Sequence, residues 1–333
     1  MNTYDIYGIG AALLDTEIEV TDADLQQFNI EKGLMTLVDD TRQKELMNHL
    51  KDHLVASKKA SGGSGANTII AASSFGSRTF YSCKVANDEN GLLYLSDLEK
   101  ANVTYHANNG SSPGVTGKCL VMITSDAERT MNTYLGISET VSVIDIDEDA
   151  LKQSKYVYIE GYQVTSPTGR PAAIKLKELA DANNIKTSIS LSDPAIVNHF
   201  HDGLKEMIGS GVDILFCNKD EAINFTQADS FDDAFEGLKK YAKTFAITMG
   251  AEGSCLFDGE QRIDIAPCVV KAIDTNGAGD MYAGAFLYAL SQGKTYQQAG
   301  NLASKAASVI VSQYGPRLRK EQHAEVLSEM EGF

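Results

Sequence analysis

The stretch "DTNGAGD", residues 274–280, sets two carboxylates and two glycines within seven positions, and the apolar run "MYAGAFLYAL", residues 281–290, follows at once. A glycine turn that opens into a helix leaves backbone N–H groups pointing outward, and the helix dipole adds to their attraction for anions. Gly277, Ala278 and Gly279 are small enough for the main chain to approach a ligand within hydrogen-bond distance. Asp280 falls at the rim of the same turn. Either it merely favours the helix start, a contribution of roughly 0.3–1 kcal/mol, or it takes a proton from a substrate hydroxyl. Phosphoryl transfer needs a positioned base and stabilisation of the moving charge, and this motif supplies both within four residues.

From about residue 154 to the C-terminus, strand and helix patterns alternate: "KYVYIEGY", "PTGRPAAIKLKELADANN", "IKTSISLSDP", "HFHDGLKEMIGSG", "VDILFCN", "KDEAINFTQ", "FDDAFEGLKKYAK" and "TFAITMG". Two helices, 278–292 and 296–312, close the series. Repeated βα units predict a mainly parallel sheet covered on both faces, a three-layer α/β/α fold. Segments 11–38 and 101–140 break the rhythm, being β-rich with no long helix, and predict a small discontinuous β lid. The large domain then comprises 1–10, 39–100 and 141–333.

The 333 residues, 43% of them hydrophobic, suffice for a large core plus a smaller unit. No run approaches the roughly 18 apolar residues of a membrane helix, and "MNTYDIYGIG" shows no signal-peptide pattern. The five cysteines are scattered singly, without zinc-ligand spacing, which predicts reduced thiols in a cytoplasmic protein. A net charge of −16 argues against nucleic-acid partners. Small anions can still bind where local dipoles outweigh the global field. Two nucleotide fingerprints fail. "SPGVTGKC" has Ser112 and Cys119 where a P-loop needs glycine and a hydroxyl, and both "GIGAAL" and "GAGDMY" lack the third glycine of a dinucleotide turn. An oxidoreductase reading founders on that absence.

Read together, the pieces carry a resemblance. "DTNGAGDMYAGAF" resembles the C-terminal signature of the ribokinase-like (PfkB) family of sugar and nucleoside kinases, and "GGSGAN" followed by "TIIAASSFG" resembles its N-terminal signature. "NKDE", residues 218–221, is similar to the family's N-x-x-E motif, and "ITMGAEGS" to its nucleotide-binding turn. All four occur in the family's order, spanning the chain from near residue 5 to near 315. "TGKCLVMITSDAERTMNTYLG" further resembles the lid of the adenosine kinase-like members, with Arg129 at their basic position, and Asp15 stands where those members grip ribose hydroxyls. The chain departs from them at Gly10-Ala11, where many have Gly-Asn.

The resemblance implies an ATP- and Mg²⁺-dependent kinase, with a monovalent cation such as K⁺ as a further candidate cofactor. Asp280 would be the base, Gly277, Ala278 and Gly279 the anion hole, and Arg129 the residue closing over the transferring phosphate. Asp15, Gly62, Gly63 and Asn67 would bind the acceptor. Asn218, Thr248, Gly250, Gly253, Asp274, Asn301 and Ser304 would hold the nucleotide, and Asn218 with Glu221 would organise Mg²⁺ through water. Simpler readings stand beside these: Asp15 a turn residue, Asn67 a helix cap, Asn218 and Glu221 a capping box, Asp193 an Asx turn, Arg129 a solvated turn charge. The acceptor implied is a nucleoside, adenosine first. The alternatives are a free sugar (ribose, a ketohexose or a keto-deoxy sugar acid) and a ligand-binding protein that has lost turnover. A monomer or homodimer is expected, with a small-molecule partner and neither nucleic acid nor membrane.

Overall fold

Alternating and continuous β-branched runs become strands, and each long polar–apolar run of period 3.6 becomes a helix laid back across them. The computed structural model describes residues 3–50, 60–126 and 128–330. In chain order the strands are β1 Tyr4–Ile9, β2 Leu13–Glu19, β3 Met35–Leu37, β4 Ala60–Gly62, β5 Thr79–Ser82, β6 Val103–Thr104, β7 Thr116–Ile123, β8 Arg129–Gly136, β9 Ser154–Ile159, β10 Lys186–Ser190, β11 Val212–Asn218, β12 Ala242–Thr248, β13 Ser254–Phe257 and β14 Arg262–Ile265. Among the described residues they form a nine-stranded sheet, ordered β14-β13-β12-β11-β10-β9-β1-β5-β6, and a five-stranded sheet, ordered β3-β8-β7-β2-β4.

The large sheet is parallel from β6 to β12, and β13 and β14 close it as an antiparallel edge. Helices Ser64–Phe75, Ala278–Ser291 and Tyr296–Val311 bury their apolar faces on one side. Helices Gly169–Ala182, Pro194–Ile208, Lys219–Thr226 and Phe231–Leu238 cover the other. β1 lies between β5 and β9, so the chain order reverses there. In open parallel sheets that reversal leaves a crevice beyond the carboxyl ends of the strands, where ligands bind.

The small sheet spans that crevice, and its two faces differ by the strand period of two. Cys119, Val121 and Ile123 of β7 face inward with Ala11, Leu13, Met131 and Leu135. Leu120 and Met122 face outward, where they are buried with Ile18, Val20 and Leu25 under Leu46 and Leu50 of helix Asp40–Leu50. The outer face of the lid is thus covered by the chain's own helices. The division differs from the expected boundaries at three elements. β4 and helix Asp40–Leu50 belong with the lid, and β6 extends the large sheet. Very short strands carry no periodicity of their own, so only their pairing places them.

Candidate active site

A cavity of about 570 Å³ lies between the carboxyl edge of the large sheet and the inner face of the lid. Its floor is the loop that enters helix Ala278–Ser291. Gly277 caps that helix in the left-handed region, at φ 73°. A Cβ at residue 277 would also come within 2.8 Å of the Pro316 backbone, so this turn needs glycine twice over. A Cβ at Gly279 would meet nothing within 4 Å, because the residue faces the open cavity. Among the described residues the N–H groups of Gly277, Gly279 and Asp280 find no acceptor, which leaves three donors free for an anion.

Asp280 stands one turn into this helix and meets a second helix start. Ser64 Oγ donates to Asp280 Oδ1 at 2.6 Å, and Asn67 Nδ2 donates to Asp280 Oδ2 at 3.1 Å. Burial raises the Asp280 carboxyl above its ordinary range, while the Ser64 and Asn67 bonds and the Arg129 and Arg317 charges oppose the rise. A carboxyl so raised takes up a proton more readily than a free aspartate. Asn67 is not a helix cap: Gly63 occupies that position, and Asn67, 5% exposed, spends its amide on Asp280 and Arg317.

The lid contributes by register. On β2, Leu13, Asp15 and Glu17 share the inward face; on β8, Arg129, Met131, Thr133 and Leu135 do. Asp15 is therefore a mid-strand residue, not a turn. The residue is 8% exposed, and its carboxyl has no hydrogen-bond partner among the described residues. Burial pushes it up to about 7, against the pull of Arg317 and with a further push from Glu17 and Asp280. Gly62 does not line the cavity. It lies under Asp15, where a Cβ would sit 1.9 Å from the carboxyl carbon, so glycine makes room for the acid. Arg129 reaches the floor loop: its Nη1 donates to Asn276 Oδ1 at 2.8 Å, and Asn276 Nδ2 donates to Glu17 Oε1 at 3.2 Å. Arg129 is accordingly no solvated turn charge.

At the other end the cavity is lined by Thr248, Gly250, Gly253, Val269, Val270 and, along one helix face, Ser304, Ala307, Ser308 and Val311. Two expected nucleotide contacts lie elsewhere. Asn301 is exposed beyond the cavity rim and accepts from Gln297 Nε2 at 3.2 Å. Asp274 is fully buried beneath the floor loop, where it accepts from the N–H of Asn276 at 2.8 Å and of Gly315 at 2.9 Å. It shapes the loop from below.

Asn218 and Glu221 form a capping box: Glu221 N donates to Asn218 Oδ1 at 2.8 Å, and Asn218 N and Nδ2 donate to the Glu221 carboxylate at 3.0 and 2.7 Å. Both also line the cavity, near Asp193. Burial pushes Glu221 up to about 8, with Asp193 and Asp220 adding to the push. Asp193 itself caps the following helix, accepting from Ala195 N at 2.7 Å. Among the described residues no cluster of three or more His, Cys, Asp or Glu could cage a metal. An all-oxygen set with no lysine or arginine hydrogen-bonded to it among the described residues does fit Mg²⁺ held through its water shell, the way this ion usually binds.

Several site residues escape a reading of motifs. Ser64 could have been found, as the hydroxyl directly after Gly63. Glu160 follows β9 and accepts from Ala11 N at 2.7 Å, Gly65 N at 2.7 Å and Gln163 Nε2 at 3.1 Å, tying the two loops at the switch point together. Glu17 and Arg317 carry no spacing signal at all, and Asn276, though inside the motif 274–280, shows its role only through Arg129 and Glu17.

A half-buried carboxylate beside free main-chain donors, roofed by a lid that brings a guanidinium, defines a phosphotransferase with an alcohol acceptor. The profile of the pfkB family carbohydrate kinases matches residues 34–323, and the chain belongs to that family. It is similar to the crystal structure of adenosine kinase from Sinorhizobium meliloti, with a TM-score of 0.91 and 32% identity over 97% of this chain and 98% of that one. It is as similar to a probable sugar kinase protein from Rhizobium etli CFN 42, with a TM-score of 0.92 and 29% identity over 98% of this chain and 99% of that one. The Saccharomyces cerevisiae adenosine kinase is 27% identical over 94% of this chain and 96% of its own length. The fold is therefore ribokinase-like, and the protein is an ATP-dependent phosphotransferase acting on a hydroxyl group. Kinases of this family use ATP and Mg²⁺. Among the described residues no helix is long and apolar enough to cross a membrane.

Proposed function

We propose that the acceptor is a ribose-containing nucleoside, adenosine first, phosphorylated on its primary hydroxyl by direct in-line transfer. The observation that carries this reading is the acceptor end of the cavity. There the partnerless carboxylate of Asp15 stands beside an apolar roof of Leu13, Leu37, Cys119, Val121, Met131 and Leu135. A carboxylate accepts from two vicinal hydroxyls, and an apolar roof gains by covering a flat base. A free sugar offers the first group and not the second.

In this reading Asp280 takes the proton of the acceptor hydroxyl, held in line by Ser64 and Asn67. The free N–H groups of Gly277, Gly279 and Asp280 stabilise charge on the moving phosphoryl group, with Ala278 as the small residue between them. Arg129 leaves Asn276 for the phosphate oxygens, which suit its planar fork. Gly63 and Asn67 border the acceptor, and Thr248, Gly250, Gly253 and Ser304 border the nucleotide. Mg²⁺, when bound, neutralises phosphate charge, and Asn218 and Glu221 would hold its waters. Closure of the lid excludes water as a competing acceptor.

A coupled ADP-release screen over nucleosides and sugars, with and without Mg²⁺, tests the proposal. The expected result is a kcat/KM for adenosine far above those for ribose and fructose. The second reading, a free-sugar kinase, is favoured by the equal likeness to the Rhizobium etli protein. The reverse order of acceptors establishes it instead.

A further inference from the structure

The C-terminal segment sends one side chain back to the catalytic floor. Arg317 Nε donates to Asn67 Oδ1 at 3.2 Å, and Arg317 Nη1 donates to Asp97 Oδ2 at 2.6 Å. Asp97 also accepts from Ser61 N at 3.1 Å and from Ser61 Oγ. Ser61 belongs to β4, whose partner across the ladder is the β2 segment Leu13–Asp15. Asn67 in turn gives its Nδ2 to Asp280. A continuous chain of polar contacts therefore runs from the lid strand through Asp97, Arg317 and Asn67 to Asp280.

An amide has two nearly isosteric ends, and one partner alone does not hold it in a fixed plane. Turned over, Asn67 would press its oxygen against the Asp280 carboxylate. A cationic donor at one end and a carboxylate at the other make only one orientation favourable at both. We propose that Arg317 is a positioning residue for phosphoryl transfer: it locks the Asn67 amide so that its N–H aims the Asp280 carboxylate at the acceptor, and it fastens that amide to the lid through Asp97. Arg317 does not line the cavity, so it acts through Asn67 and not on the substrate. The inference rests on the reading of Asp280 as the base.

The groups that face Asp280 are Arg129 from β8, Arg317, Asp15 from β2 and Glu160 after β9, with the hydroxyls of Tyr158 and Tyr162 beyond. Losing Arg317 removes a positive charge from this set and frees the amide. The test compares Arg317→Met, Asn67→Ala, the double variant, Asp97→Asn and Arg317→Lys in the full-length protein. Adenosine with MgATP is the probe, replaced by ribose should ribose win the screen above. Arg317→Met is expected to lower kcat by about 10- to 100-fold, and to move the acid limb of kcat/KM to higher pH. In the Asn67→Ala background the same change is expected to cost almost nothing more, since both act through one amide. Asp97→Asn, which keeps the Arg317 charge, should give a smaller loss of kcat without the shift of the acid limb to higher pH, and Arg317→Lys a partial recovery relative to Met. Additive losses in the double variant, or an unmoved acid limb, overturn the proposal. Should Arg317→Met fail to fold, Arg317→Gln, which also removes the charge, carries the same two readouts. Asp280→Asn separates the levels. Full turnover in that variant sinks the base itself, whereas a dead Asp280→Asn beside additive Arg317 losses sinks only the positioning role.

Discussion

The two ends of the cavity are built differently. At the acceptor end, side chains from distant segments are bonded to one another before any ligand arrives: Ser64 and Asn67 to Asp280, Arg317 to Asn67 and Asp97, Arg129 to Asn276. At the end proposed for the nucleotide the lining is Thr248, glycine backbone, two valines and one face of small helical residues. The first is a preorganised network whose geometry costs free energy to disturb. The second is a bed that needs shape and backbone donors more than particular side chains. Single substitutions should therefore be severe at one end and mild at the other.

The largest effect is expected at the centre of the network. Asp280→Asn keeps the volume and removes the base, so kcat should fall by about 10²- to 10⁴-fold while nucleotide affinity, measured by direct titration with ATP, stays nearly unchanged. Turnover close to that of the unmodified protein would show that the proton leaves by another route. Next comes Arg129→Met, which deletes both the contact with the floor loop and the proposed phosphate partner. A loss of about 10- to 100-fold in kcat/KM is expected, of the size of one charge-assisted contact. A change confined to KM for the acceptor would place Arg129 at the wrong end. By contrast, Ser304→Ala at the nucleotide bed should change KM for ATP by less than about threefold. A tenfold rise there would erase the distinction between the two ends.

The same contrast explains what was legible before the structure. The anion loop and Asp280 are contiguous, so one heptapeptide shows them. The parallel sheet and the closing helices announce themselves by period, and the observed helices Ala278–Ser291 and Tyr296–Val311 fall within a residue of the expected bounds. The nucleotide face is half legible. Ser304, Ala307, Ser308 and Val311 follow helical spacing into the cavity, but the same stripe continues to Asn301, one turn past the rim, and spacing does not say where a cavity ends. Asp274 is misread for a related reason: it sits in the motif yet points beneath the loop, to Asn276 and Gly315. Glu17, Glu160, Asn276 and Arg317 are meaningful only through partners up to 259 positions away. No local pattern encodes such pairs.

The smallest effect is one of stability, and its sign is the informative part. Asp15 pairs with no donor among the described residues, and burial holds its carboxyl near 7 against an ordinary 3.8. Below about pH 4 the group is neutral in folded and unfolded chains alike and costs nothing. As pH rises from there, the unfolded chain releases the proton while the folded chain retains it, so stability falls until the folded group ionises near 7. A shift of that size corresponds to about 4 kcal/mol at most. Asp15→Asn removes this cost, which is already net of the pull from Arg317, and leaves a neutral polar group in place of the protonated acid, so a net gain of about 1–3 kcal/mol is expected at pH 8 and none at pH 4. Thermal or urea unfolding of the ligand-free protein at the two pH values measures it. Acceptor KM in the same variant should rise by about tenfold or more, as the hydroxyls lose a charged acceptor. A protein made sturdier and less able to hold its acceptor by one substitution is what a side chain kept for a ligand looks like. A variant no more stable than the unmodified protein at pH 8 would instead make Asp15 an ordinary structural residue, and with it the acceptor end of the cavity would lose the feature that sets it apart.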